Sequence, residues 1–385
     1  MIYFDNSATT PLCDMAKEKM LTAMECFGNP SSKHVVGTDA KKMLDTSREA
    51  IGKCLGLNGA SNDKIIFTAS GTEANNTAIF GSVYAKKRSR GAKIITTDSE
   101  HPSVENAMKK LEDDGFTVVR LKTLGGALDI EEFRAALDDS VILVSLMMVN
   151  NETGAVYDVE KLFTIAKAKN PDIVTHCDAI QGFLKIPFTP KKIKADLVSI
   201  SAHKIHGPKG VGALFVSSEI LKRRLLAPYI VGGGQESGFR SGTENMIGIC
   251  GFAGAADCGF ASFRENHAKM TSLRSRCIDL LAGGEVRVNT PRGACAPHIL
   301  SLTLPKIKSE TMLNFLSGKG ICVSAGSACS SHSRNISSAL VGFGISESEA
   351  DTTIRVSFSA YNTEEDVSRF VSVLTEGVKT LVRIK

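Results

Sequence analysis

From residue 65 onward, short apolar runs alternate with longer stretches whose apolar positions recur at helical spacing. Residues 65–68, 93–97, 116–121 and 141–149 predict strands, and 73–85, 103–111, 130–137 and 159–168 predict the helices between them. Three more runs, 173–177, 195–200 and 212–216, also predict strands. Strands that are apolar throughout and alternate with helices predict an α/β fold: a mostly parallel sheet covered by helices on both faces. Ahead of this alternation, 40–55 predicts a helix stopped by Gly56, and the first eleven residues an extended arm. Asn29-Pro30-Ser31-Ser32 is loop-forming.

The pattern changes after Gly242. Residues 243–281 predict one long helix, with small residues in its first half that suit close packing. Strands at 285–288, 299–304, 321–323 and 353–358 then mix with helices, ending in a helix at 364–381. This predicts a smaller α+β domain. The expected division is a large domain of residues 13–258 and a small domain of 1–12 plus 259–385, with the boundary near 255–265. No internal repeat at a fixed period is present.

Composition narrows the function classes. The chain has 385 residues, 43% of them hydrophobic and 23% charged, as expected for a globular protein with a large core. A net charge of +5 is too small at this length to argue for nucleic acid. The densest basic run, residues 86–90, reads as the solvated end of a helix, where cations suit the dipole. The longest apolar run, 141–149, is far too short to span a bilayer, so no membrane role is expected. No basic-then-apolar leader opens the chain, and a cytoplasmic location is the expectation. Ten scattered cysteines with no Cys-x-x-Cys pair argue against a disulfide framework and against a structural zinc site.

Candidate chemistry gathers at the predicted strand ends, where open parallel sheets hold ligands. Gly71 and Thr72 open a helix after the first strand, and His101 follows the second. Asn151, then Asp178 with Gln181, then Ser201, His203 and Lys204 follow later strands. Each alone is explicable as a cap, a turn or a surface group. Together they place a lysine, a carboxylate, an aromatic stacker and a phosphate cradle on one sheet edge. A half-buried lysine has its pKa lowered by desolvation, which makes the amine nucleophilic. Pyridoxal 5'-phosphate needs that set: the lysine for a Schiff base, the carboxylate for its pyridine nitrogen, and hydroxyls and amides for its phosphate.

The residues also resemble a known family from end to end. The matching pieces include Asp5-Asn6-Ser7-Ala8-Thr9-Thr10, Ser70-Gly71-Thr72-Glu73-Ala74-Asn75-Asn76, Glu100-His101 and Asn150-Asn151-Glu152-Thr153-Gly154. They continue through Ser201-Ala202-His203-Lys204, Gly232-Gly233-Gly234-Gln235-Glu236, Arg240-Ser241-Gly242-Thr243-Glu244-Asn245 and Gly326-Ser327-Ala328-Cys329. The chain resembles NifS/IscS-type cysteine desulfurases of the class V aminotransferase family. The resemblance implies the pyridoxal-phosphate transferase fold, aspartate-aminotransferase-like, and removal of sulfur from L-cysteine to leave L-alanine.

By that resemblance Lys204 attaches the cofactor, His101 stacks on its ring and assists proton transfer, and Asp178 pairs the pyridine nitrogen. Gln181 reaches the ring oxygen. Gly71, Thr72, Ser201 and His203 hold the phosphate, joined by Thr243 from the other subunit of a homodimer. Asn151 lies beside cofactor and substrate, and Arg355 forks onto the substrate carboxylate. Cys329, on a loop of small residues, takes the sulfur as a persulfide and passes it to an iron–sulfur scaffold or another acceptor protein. No resident metal is implied, although Cys329 could transiently touch a cluster on an acceptor. The sequence departs from the family pattern at Ser237, His298, Val356 and Ala360, and none of these is expected to touch a catalytic group. Alternatives left open are a selenocysteine lyase, another class V enzyme such as an aminotransferase, and a non-catalytic scaffold.

Overall fold

The structure, a computed structural model, describes residues 1–58, 61–86, 92–325 and 337–384. The basic run from Lys87 to Arg90 and the Cys329 loop from Gly326 lie outside the described residues.

Seven strands form the large sheet: β2 (Lys64–Thr68), β3 (Lys93–Thr97), β4 (Thr117–Leu121), β5 (Val141–Met147), β6 (Val174–Asp178), β7 (Leu197–Ser201) and β8 (Gly212–Val216), after the short β1 (Ile2–Tyr3). Their order is β2-β8-β7-β6-β5-β3-β4. All pairs are parallel except those of β8, which runs antiparallel to both β2 and β7. Parallel neighbours need crossover connections. α3 (Gly71–Ala85), α4 (Pro102–Asp113), α5 (Ile130–Ala136) and α6 (Val159–Lys169) lie between the successive strands β2 to β6. Alternate residues of one strand enter opposite cores: Ile66, Leu143 and Leu197 pack with α3 and α4, whereas Ile65, Val144 and Val198 face α2 (Val35–Cys54), α6 and α8 (Met246–Ala261). Burial on both faces explains why these strands read as continuous apolar runs.

The expected long helix after Gly242 is two helices. α8 and α9 (Phe263–Leu281) meet at a 75° bend around Ser262. The small residues of α8 admit α1 (Asp14–Glu25), a helix the apolar pattern did not mark. A Cβ on Gly251 would lie 2.6 Å from Met20 Cγ, and one on Gly254 2.7 Å from the Met15 carbonyl. α1 buries only Ala16 and Ala23 fully, so it lacks the apolar stripe that announces a helix. α7 (Ser218–Arg223) follows β8. Among the described residues no single helix is long and apolar enough to cross a membrane.

The second sheet has the order β12-β13-β10-β9, all antiparallel, built from β9 (Arg287–Val288), β10 (Ile299–Thr303), β12 (Ser324–Ala325) and β13 (Thr353–Ser357). α10 (Ser309–Gly318), α11 (Ser338–Gly342), α12 (Glu347–Ala350) and α13 (Glu364–Thr380) complete this part. α13 opens with a reciprocal capping box between Thr363 and Asp366 and buries Val367, Phe370, Val371, Leu374 and Val378 along one face. The N-terminal arm enters this core. β1 pairs parallel with β11 (Ile321–Cys322). Phe4 is fully buried, edge-on to Phe358 at 5.3 Å and to Phe370 at 5.7 Å. The arm then continues from the second core to the edge of the large sheet, and there it meets the candidate site.

Candidate active site

The cradle forms where α3 meets the end of β7. Ser70 caps α3 by accepting from the Glu73 amide at 3.1 Å, which leaves the first helical amides, Gly71 and Thr72, without helical acceptors. Glycine at 71 permits a close approach: a Cβ there would lie 2.3 Å from Ile180 Cδ1 and 3.2 Å from Ser201 Cβ, so the Ile180 side chain would have to move. That close approach brings the helix N-terminus against Ser201. The Ser201 hydroxyl is buried and has no hydrogen-bond partner among the described residues. A buried hydroxyl left unpaired at a helix N-terminus fits a phosphate oxygen. Thr72 is exposed beside it.

Lys204 ends the turn that follows β7. Its Nζ donates to the carbonyls of Ser7 at 2.6 Å and Ala8 at 2.9 Å. The arm is stitched to this loop: Thr10 donates from both its amide and its hydroxyl to the His203 carbonyl, and the Thr10 hydroxyl accepts from the His206 amide at 2.7 Å. His203 Nδ1 lies 3.3 Å from the Thr9 hydroxyl, and burial with nearby Lys204 and Lys209 pushes its pKa down to about 4.

Asp178 ends β6, buried. Its Oδ2 accepts from the Asn75 amide at 2.7 Å, and its Oδ1 from the Ile180 amide at 3.0 Å. Both donors are neutral. Burial pushes the carboxyl pKa up, which makes a cationic ring nitrogen a favourable partner there. Asn75 donates also to the Ser103 hydroxyl at 2.9 Å, which contacts His101 Nδ1 at 2.8 Å. Because the Ser103 amide already donates to Nδ1 at 3.1 Å, that nitrogen is an acceptor and the neutral ring carries its proton on Nε2. Burial first, then Lys204 and Arg355, push the His101 pKa down, against the pull of Asp178. Beneath them lies Glu100, fully enclosed. Its Oε1 accepts from Thr97 and from the Met147 amide, and burial raises its pKa to about 8.

Arg355, buried on β13, reaches across from the second sheet. One arm donates to the Asn151 carbonyl at 2.9 Å and the other to Asp5 at 3.0 Å, while its Nε has no partner among the described residues. Asn151 therefore meets Arg355 through its backbone. The neighbouring Glu152 accepts from Ser337 at 2.6 Å, and burial raises its pKa to about 7.

Gln181 donates from Nε2 to the Ser7 carbonyl at 2.9 Å, and its Oε1 lies 3.3 Å from His298 Nε2. Of the four departures, His298 thus meets a residue expected to bind the cofactor, though not one of the expected catalytic groups. His298 is far away in sequence, and only the fold brings the two together. The other departures are remote from the chemistry: Ser237 accepts from Lys64 at 3.0 Å, Val356 packs in the second core, and the Ala360 carbonyl accepts from Lys269.

Thr243 is exposed and makes no hydrogen bond to the other candidates among the described residues. It follows Gly242, whose φ of +112° favours glycine. Its loop is tied down by Arg240 to Glu73 at 2.7 Å and by a bidentate Arg48–Glu236 pair at 2.6 and 2.9 Å. Cys329 lies outside the described residues.

Residues 2–370 match the model of the aminotransferase class-V family. The chain is 38% identical to a NifS/IcsS protein homolog of Lactobacillus delbrueckii subsp. bulgaricus, over 98% of this chain and 97% of that one. It is 37% identical to a cysteine desulfurase of Trichormus azollae, over 99% and 94%. A solved NifS-like protein superposes with a TM-score of 0.90 at 36% identity, covering 99% of this chain and all of that one.

The chain belongs to the class-V aminotransferase family.

Within that family it is a NifS/IscS-type cysteine desulfurase, and its cofactor is pyridoxal 5'-phosphate. The residues present fit that group: the unpaired Ser201 hydroxyl faces a helix N-terminus, and a buried carboxyl stands without a cationic donor of its own. Several groups of the desulfurase site stood in the sequence without an assigned role. Ser7 and Ala8 act through carbonyls, Asp5 through its pairing with Arg355, and His298 through Gln181. Asn75 did carry a signal, as an amide one helical turn inside the α3 motif.

Proposed function

We propose that this cysteine desulfurase runs its reaction with Lys204, His101 and Cys329 as catalytic residues. Asp178, Gln181, Asn151, Gly71, Thr72, Ser201 and His203 hold the cofactor, and Arg355 binds the substrate carboxylate. The observation that carries this reading is the connected array at one sheet edge: Asp178 joined through Asn75 and Ser103 to His101, with the Lys204 amine held by two carbonyls of the arm.

Pyridoxal phosphate, when bound, supplies an electron sink for charge developing at the substrate α-carbon. Asp178 keeps a positive charge on the pyridine nitrogen favourable, and Asn75 and the Ile180 amide hold the carboxylate in place. Lys204 takes the α-proton and returns a proton later. His101, with its proton on Nε2, is a neutral donor able to assist. Arg355 offers its Nε to the substrate carboxylate, with its two outer nitrogens already oriented by Asp5 and Asn151. The Cys329 thiolate forms a bond to the substrate sulfur as the carbon–sulfur bond breaks. The sulfur stays on Cys329 as a persulfide, and the carbon skeleton leaves as alanine.

The substrate is L-cysteine; one solved relative, SspA, was determined in complex with cysteine. We place Thr243 in the phosphate site of a second copy of the chain. Its exposure supports this, as does the exposure of the large apolar side chains Leu21, Met24, Phe27 and Val35. The persulfide passes to an iron–sulfur scaffold or another acceptor protein. The cytoplasm is the proposed location, supported by nine free cysteines among the described residues. The division into residues 13–258 and 1–12 plus 259–385 is likewise proposed.

One tube tests the core of this. The visible spectrum of the purified protein is recorded before and after L-cysteine, with alanine assayed alongside. A cofactor band that responds to cysteine, alanine formation, and loss of turnover in C329S with the band retained are expected. A colourless protein that pyridoxal phosphate cannot reconstitute would overturn the site assignment. Alanine formation that needs a keto acid would move the reaction to transamination.

A further inference from the structure

His298 is almost completely buried, and its two ring nitrogens have different fates. Nε2 lies 3.3 Å from Gln181 Oε1, and Nδ1 has no partner among the described residues. An amide oxygen only accepts, so Nε2 carries the ring proton and Nδ1 is bare. The ring stays neutral, because burial disfavours the cation and Lys185, Arg355, Arg274 and His267 all oppose a further positive charge.

Gln181 is thereby held from both ends. Its Nε2 donates to the Ser7 carbonyl at 2.9 Å, and its Oε1 receives the imidazole. Flipping the amide would set its oxygen against the Ser7 oxygen and its NH2 against the imidazole N–H. The first contact is repulsive, and the second is too unless the ring proton moves to Nδ1, which would bury an N–H with no acceptor among the described residues. The second N–H of Nε2 has no acceptor among the described residues.

We propose that His298 is a positioning residue that fixes the Gln181 amide, so that Gln181 presents an N–H rather than its carbonyl to the cofactor's ring oxygen. This rests on the assignment of Gln181 to that oxygen. The device is tied to Lys204 as well, since Lys204 and Gln181 donate to the same Ser7 carbonyl. An N–H at the ring oxygen stabilises its anionic form. Without it the oxygen holds the neighbouring proton more tightly, and the pH at which the bound cofactor changes colour rises.

The test titrates the visible band of the holoenzyme in the parent, H298L, Q181L and the double variant. H298L is expected to raise the midpoint by about one pH unit, the equivalent of one neutral hydrogen bond. The double variant should shift no further than Q181L alone. A parent midpoint in H298L, with Q181L shifted, overturns the proposal alone. Failure of the parent to take up pyridoxal phosphate overturns the reading beneath it, and the proposal with it. Should H298L not fold, the 15N shifts of the imidazole in the parent apoprotein decide. Protonation at Nε2, unchanged down to about pH 5, supports the proposal; a ring protonated at Nδ1 or titrating near the ordinary histidine value overturns it.

Discussion

Lys204 donates to the Ser7 carbonyl at 2.6 Å, so the amine that follows β7 is held by the backbone of the first ten residues. The same arm supplies Asp5 to Arg355 and a buried Phe4 to the second core. An arm of about ten residues thus couples Lys204, Arg355 and both hydrophobic cores.

Ser201 carries a hydroxyl that nothing among the described residues satisfies, and the proposed site gives it the phosphate as partner. S201A should leave the apoprotein's stability within about 0.5 kcal/mol of the parent. It should weaken cofactor binding about fivefold to tenfold, the loss of one hydrogen bond. Denaturant melts of the apoprotein and a cofactor titration read the two effects separately. A destabilised apoprotein would show that the hydroxyl is paired within the fold.

Gly71 sits where α3 touches Ile180 and Ser201. G71A pushes the helix N-terminus off β7. It should cost about 1–3 kcal/mol, as overpacking does, and weaken cofactor binding more than S201A. Thermal melts with and without pyridoxal phosphate check it. A neutral G71A would mean the helix can shift freely.

Arg355 is oriented by Asp5 through a 3.0 Å ion pair. R355A should raise KM for cysteine about tenfold to a hundredfold, the loss of a charge-assisted bond to the carboxylate. R355K should not restore it, because a compact ammonium lacks the planar fork that spans Asp5, the Asn151 carbonyl and a substrate carboxylate. D5N should raise KM less, since the guanidinium keeps the Asn151 contact. Steady-state kinetics on cysteine decide. An R355A enzyme with unchanged KM would place the carboxylate elsewhere.

Glu100 has a folded pKa raised from 4.5 to about 8 by burial. The folded state therefore binds its proton more tightly than the unfolded chain does. The stability this contributes is complete below about pH 4.5 and is lost as pH rises toward 8. E100Q keeps the acceptor oxygen used by Thr97 and the Met147 amide but cannot ionise. Its melting temperature should match the parent near pH 5 and exceed it progressively up to pH 8–9. Parallel curves across that range would show that Glu100 is ionised in the fold throughout.

Much of this was legible in the chain. The strands of the large sheet show as apolar runs because both their faces are covered. Lys204, Asp178 and His101 stand out because each follows a strand, where parallel sheets place ligands. α1 was not legible, since it packs through alanines against the glycines of α8 rather than along an apolar stripe. The bend at Ser262 was not either, because helical periodicity continues through it on both sides.

Sequence by itself determined the fold class and the family and named the candidate side chains, because periodicity and residue type are local properties written along the chain. Tertiary structure alone decided how those groups are held. The Ser7 carbonyl under Lys204 and Gln181, Asp5 against Arg355 and His298 against Gln181 join positions distant in sequence. Carbonyl oxygens carry no residue identity, and a histidine reads the same whether it faces solvent or a buried amide. Only the packing of the two cores around the arm brings these partners within hydrogen-bond distance.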